Sequence, residues 1–146
     1  MIAASINQMI AEALKARDEL RLSTLRLLSS ALHYEEIAKQ HELSEEEEMV
    51  VVRHEASKRR DAIEAYEKVG AKDRAEKEKK ELEILKSFLP PEMSDEDLQR
   101  LVDESINALG AESISDMGKV IGLVMSKVNG AAEGRRVSEM VKSKLQ

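Results

Sequence analysis

Gly130-Ala131-Ala132-Glu133-Gly134-Arg135-Arg136 is the stretch of this chain whose residue types and spacing best suit a chemical task, the seating of an anion. A glycine-bounded turn feeding a helix start exposes backbone N–H groups that have no partner within the helix. Two guanidinium groups beside them can fork onto phosphate oxygens. Spacing alone leaves two readings equally open, a phosphate seat or an ordinary turn between helices with two solvated arginines. Lys119 and Lys127 lie eight residues apart on the preceding helical segment, which puts them on one side of it. They either extend the patch or belong to a solvated face. Residues 117–146 carry six Lys and Arg against two Glu, a formal +4, on a chain whose total is −6, so residues 1–116 carry −10. A basic end on an acidic carrier points to an anionic partner met by one part of the molecule.

Other constellations reduce to structural roles. Gly118 and Gly122 form a G-x-x-x-G on a helix, a spacing expected to serve close packing in the core. Lys119 beside them does not complete a phosphate loop, because Val120 stands where Ser or Thr is needed and no strand precedes. Lys58-Arg59-Arg60 is a second basic cluster, and Glu55 and Glu64, each four residues from an arginine, are expected to pair with it along the helix surface. The run Glu45 to Glu48 points around a helix rather than to one centre, and a capping role accounts for it. His41-Glu42 has no second histidine at the spacing of a zinc protease, and His33 and His54 have no ligand partners, so all three are expected at the surface. The chain has no cysteine. The carboxylates fall at caps and on polar faces rather than as isolated acids in apolar stretches. No catalytic residue, metal site or cofactor is assigned.

These residues must be positioned by helices. Charged residues make up 36% of the 146 residues, aromatics 2%, and proline occurs twice, a helical protein's composition in which base-stacking platforms are nearly absent. Any nucleic-acid contact is therefore expected at backbone and shape. Ile2, Ile6, Met9, Ile10, Ala13 and Leu14 predict a helix over about 2–16. After Asp18 as N-cap, Leu22, Leu25, Leu28, Ala31 and Leu32 predict a second, with the stripe continuing toward Ile37. Ser44 and Glu47 form a capping box that starts a third helix running to Gly70, about 37 Å long at ~1.5 Å per residue, an arm that outreaches a small core. Asp73 and Glu76 are expected to repeat the box before Leu82, Leu85, Phe88 and Leu89. Pro90-Pro91 ends that helix and marks a boundary between residues 1–91 and 92–146. Beyond it, Ser94 with Asp97 caps a helix ending at Gly110. Ser113 with Asp116 is expected to cap the next, whose face is Ile114, Met117, Ile121, Val124 and Val128 until Asn129-Gly130 breaks it. Val137, Met140, Val141 and Leu145 mark the last. The expected fold is all-α, an N-terminal bundle with long helices followed by a small three-helix unit. No apolar run approaches the roughly 18–20 residues that span a bilayer, and Met1-Ile2-Ala3-Ala4-Ser5 lacks a basic region with an apolar block. The lack of cysteine fits a reducing compartment, so a cytoplasmic protein without a membrane partner is expected.

Leu14-Lys15-Ala16-Arg17-Asp18, Glu55-Ala56-Ser57-Lys58-Arg59-Arg60-Asp61, Ala65-Tyr66-Glu67-Lys68-Val69-Gly70, Phe88-Leu89-Pro90 and Asp116-Met117-Gly118-Lys119-Val120-Ile121-Gly122 resemble, in order and over nearly the whole chain, the YqeY family of small bacterial proteins. That family is similar to the C-terminal helical and tail domains of the B subunit of aspartyl/glutamyl-tRNA amidotransferase. The resemblance implies an all-helical fold in two parts and a tail-like unit that touches the outer corner of tRNA. It brings none of the domains in which amidation chemistry resides. Carried over by motif, the RNA-facing positions are Lys119, Lys127, Gly130, Arg135 and Arg136. Ala131 stands where the family pattern has a basic residue and Glu133 where it has an aspartate, a poorer N-cap.

The function expected is a non-catalytic tRNA-binding or tRNA-associated module acting through its C-terminal basic segment. The alternative is a protein–protein adaptor without RNA binding, which a large exposed apolar patch on the second and third helices would favour. A third reading, carbon–nitrogen ligation with glutamine as amido donor, follows from family association alone.

Overall fold

The computed structural model describes residues 1–128 and 130–146, and among them the chain is all-α: seven α-helices, one 3-10 turn and no strand. Asn129, half of the expected helix break, lies outside the described residues. Two compact units, Met1–Leu89 and Pro90–Gln146, divide the chain.

The first unit holds α1 (Ile2–Lys15), α2 (Glu19–Lys39), α3 (Glu45–Lys68) and α4 (Lys72–Lys86). Each helix contributes an apolar stripe to one core: Ile2 and Ile6 from α1, Leu28 and Leu32 from α2, Val52 and Ala56 from α3, Leu82 and Leu85 from α4. Two starts follow the chemistry of their residues. Asp18 accepts the Arg21 N–H at 3.1 Å, and Ser44 and Glu47 exchange bonds at 3.2 and 2.9 Å. α4 departs from expectation: its N-cap is Ala71 and makes no side-chain cap bond, so Asp73 lies inside the first turn, where its charge meets the positive helix end. Ile37 does not continue the α2 stripe inward but is exposed.

Glu48 holds a role the sequence did not reveal. Its side chain is fully buried, and its two carboxylate oxygens accept the N–H groups of Ile2 and Ala3, each at 2.8 Å. The first N–H groups of a helix lack intrahelical acceptors, and no side chain of α1 itself caps them. Glu48 thus caps α1 from α3, 46 residues away.

The α3 helix is not a lone arm, because α4 packs back along its C-terminal half. Arg59 reaches across rather than along α3: its Nε lies 3.0 Å from Glu81 and 3.6 Å from Glu78, while Glu55 pairs with Lys58 at 3.1 Å. This overturns the expected Glu55–Arg59 pair, since the hairpin brings two acids of α4 closer than the helix's own neighbour. Lys79 bridges to Glu67 at 3.0 Å, and the Arg74 guanidinium stands 5.9 Å from the centre of the Tyr66 ring. Burial, together with the neighbouring Glu78 charge, pushes the Glu81 carboxyl above its usual value, against the opposing pull of Arg59.

The second unit packs α5 (Asp95–Leu109), α6 (Met117–Val128) and α7 (Gly134–Leu145) around Leu98, Val102, Val120, Val124, Val137 and Val141, all fully buried. Ser94 caps α5 through the Asp97 N–H at 3.2 Å, and Gly110 ends it at φ +63°, left-handed backbone that glycine adopts without a Cβ penalty. The residues expected to cap the next helix instead enclose a 3-10 turn, Ile114–Asp116, before α6 begins. Asp116 accepts the N–H groups of Glu112 and Ser113 at 3.1 and 3.3 Å, which closes this turn ahead of the helix and leaves Ile114 about half exposed, at 49%. The core face of α6 is accordingly Val120, Val124 and Val128, with Met117 and Ile121 beside it.

Two outcomes test these assignments. Glu48→Ala removes the acceptor for two N–H groups at a buried site and is expected to cost about 2–3 kcal/mol by urea denaturation, with Glu48→Gln recovering part of it through its remaining carbonyl. Because the folded pKa of Glu81 is raised, its contribution is fully present below the ordinary value of 4.5 and declines as pH rises through the folded value. Glu81→Gln is expected to flatten that decline in stability measured from pH 4.5 toward neutrality.

Candidate nucleic-acid interface

The sequence candidates all fall in the second unit, on α6, α7 and the link between them. Lys119 sits in the first turn of α6 and Lys127 in its last, both exposed, Lys119 away from Val120, Val124 and Val128 and Lys127 on the flank of that stripe. Gly130 holds φ +83° in the link. Positive φ there lets the chain reverse into α7 without strain. Met93 N–H donates to the Ala131 carbonyl at 2.7 Å, tying this link to the entry of α5. Glu133 is the N-cap of α7 and makes no side-chain cap bond, consistent with the weak capping of glutamate.

The two arginines separate in role. Arg135 is exposed on the first turn of α7. Arg136 is half-buried and engaged: its Nη2 and Nε donate to Asp95 Oδ1 at 2.7 and 3.3 Å. A second cross-helix pair joins Lys144 to Asp103 at 3.2 Å. Both partners belong to α5, in a segment with no basic patch of its own: residues 90–116 carry one arginine against eight carboxylates, a formal −7. Arg136 and Lys144, two of the six cations of residues 117–146, thus pair with this acidic segment, and the unit as a whole carries −3. Of the two guanidiniums beside the glycine turn, Arg135 is exposed and Arg136 is half-buried against Asp95.

Gly118 and Gly122 are not packing glycines. Both are exposed, and a Cβ built on either meets nothing within 4 Å. The expectation of close helix contact fails because the valines, not the glycines, face the core. The outer side of α6 is thus an exposed, low-relief surface of Gly118, Lys119, Gly122 and Ser126, with Lys127 exposed at its flank. At its start, the bonds from the Glu112 and Ser113 N–H groups hold the Asp116 carboxyl below its usual range, with the Lys119 charge adding to the effect.

This arrangement suits contact with a polyanion's backbone. Among the described residues no cluster of three His, Asp or Glu could hold a metal ion, and no helix is long and apolar enough to cross a membrane.

A family model described as Yqey-like protein matches residues 3–145. The chain belongs to the YqeY family. It is also similar to one subunit of the glutamyl-tRNA(Gln) amidotransferase of Thermococcus gammatolerans, 34% identical over 58 residues. That similarity takes in 37% of this YqeY-family chain and 9% of the relative, so the chain spans less than a tenth of that relative's length.

Gly118→Ala and Gly122→Ala are each expected to raise stability by about 0.5–1 kcal/mol in urea denaturation, because an exposed helical glycine costs backbone entropy that alanine does not. A loss of stability in either would restore the packing role.

Proposed function

We propose that this protein is a non-catalytic, tRNA-associated module that meets RNA backbone through the outer side of α6 and the first turn of α7. The observation that carries the proposal is the exposure of Lys119, Lys127 and Arg135 along one helix and the start of the next, in a chain related to an amidotransferase whose name includes a tRNA. Lysines and arginine at such positions contribute a sequence-independent, salt-sensitive affinity. Gly118 and Gly122 leave no side chain between α6 and an approaching phosphate, and Gly130 shapes the turn that presents Arg135. Arg136 acts differently, by holding the start of α7 to Asp95. The net −3 of the second unit makes the affinity modest and local rather than a general attraction to nucleic acid.

The test is a titration with bulk tRNA at low and physiological salt. The Lys119→Ala, Lys127→Ala, Arg135→Ala triple variant is expected to flatten the dependence of log affinity on log salt by about 2–3, at roughly 0.7–0.9 for each lost phosphate contact. Arg136→Ala is expected to change that slope by less than one contact's worth. Identical salt slopes for the wild type and the triple variant would sink the proposal.

A further inference from the structure

Among the exposed apolar side chains of the first unit, several gather on α2 and the start of α3. The α2 helix turns Leu25, Leu28 and Leu32 into the core, yet a second stripe, Leu27, Ala31, Tyr34 and Ala38, runs beside it at spacings of four, three and four. With Val50 and His54 of α3 this stripe lines a groove of about 570 Å³. Leu27 is 51% exposed, Val50 59% and Tyr34 72%. Large side chains of this kind on one face of a helix pair mark an interaction surface rather than a solvated face.

The order of residues in the groove says what fits it. Large and small alternate along α2: Leu27, then Ala31, then Tyr34, then Ala38. Laid antiparallel on itself, the stripe sets Leu27 against Ala38 and Tyr34 against Ala31, each large side chain over a small one, at both ends of a two-fold axis. The charges repeat the pattern. Lys58 lines the groove at the Leu27 end, and Glu35 lines it toward the end marked by Ala38 and Val50, with Glu46 one turn before Val50 on α3. The same two-fold brings Lys58 of each copy to Glu35 of the other. A parallel arrangement would instead set Leu27 on Leu27 and Glu35 on Glu35, clashing in volume and in charge. A nucleic acid is disfavoured here, because residues 35–48 carry seven glutamates against Lys39 alone.

We propose that the α2–α3 groove is the interface of an antiparallel homodimer, its occupant the same groove of a second copy of this chain. Within one chain Glu35 and Lys58 pair at short range, with Lys39 at 3.9 Å and Glu55 at 3.1 Å, and both side chains keep exposed area with which to reach across. The proposal is independent of RNA binding, which concerns residues of the other unit.

Sedimentation equilibrium on the full chain over the micromolar range tests it, and three variants give it direction. Tyr34→Glu is expected to raise the dimer Kd by about 100-fold or more, because it buries a carboxylate in an apolar seam, while the monomer's helical circular dichroism and melting stay unchanged at so exposed a site. Glu35→Lys and Lys58→Glu each weaken association, and the two combined in one chain restore it, a recovery that a merely structural effect on the monomer does not produce. The chain's lack of cysteine makes a geometric check direct. Under mild oxidation, a mixture of Leu27→Cys and Ala38→Cys proteins is expected to form covalent heterodimer faster than either protein alone forms homodimer. A wild-type protein that stays monomeric across the range, or one that self-associates yet cross-links best through Leu27→Cys alone, overturns the proposal. Monomeric protein that binds an added amphipathic helix at this groove overturns it also, in favour of a partner of another kind.

Discussion

A buried carboxylate is the constraint around which the first unit is arranged. Glu48 is sealed from water, so its two oxygens must find donors within the protein, and they find the opening N–H groups of α1. That requirement fixes the start of α1 against the first turn of α3. With α1 held there, its Ile2 and Ile6 meet Leu28, Leu32 and Val52 instead of sliding along them. Four consecutive glutamates thereby divide their work. Glu47 closes the box of its own helix, and hydrogen bonding to the Ser44 N–H holds its carboxyl below the usual value. Glu48, one residue on and turned by about 100°, caps a different helix.

In the second unit apolar burial and charge pairing across the bundle do different work. Apolar burial by six fully enclosed Val and Leu side chains holds the three helices together. The pairs Arg136–Asp95 and Lys144–Asp103 join α7 to α5 at its two ends. Pairs this exposed contribute little stability in water. They hold Arg136 half-buried at the start of α7, while Lys119, Lys127 and Arg135 are exposed.

The same distinction, between residues the fold uses and residues it leaves over, applies to the apolar surface of α2. A helix with one core face needs one stripe, and α2 carries two. Periodicity counts apolar residues without saying what covers them, so Leu27, Tyr34 and Ile37 look much like Leu25, Leu28 and Leu32 in the linear chain. Packing separates the two sets: the second is buried, with Leu28 and Leu32 in the core shared with α1, α3 and α4, and the first is exposed, with Leu27 and Tyr34 lining a groove.

What the amino-acid order determined by itself is whatever depends on neighbours within one or two turns. The all-α character, the Asp18 and Ser94 caps, the Ser44–Glu47 box and the stop before Pro90 all rest on contacts three or four residues apart. So does the inner face of α7, with Val137 and Val141 buried as their spacing implies. What tertiary structure alone decided depends on residues far apart in the chain meeting in space. Glu48 reaching Ile2 across 46 positions, and Arg136 reaching Asp95 across 41, leave no periodic trace. Gly118 and Gly122 have the spacing of a packing motif, but Val120, Val124 and Val128 are the residues α6 buries, and both glycines stay exposed. A helix can present any of its faces to a neighbour at little local cost, so only the competition of all faces for the same core settles which is buried, and therefore which residues are left for a partner.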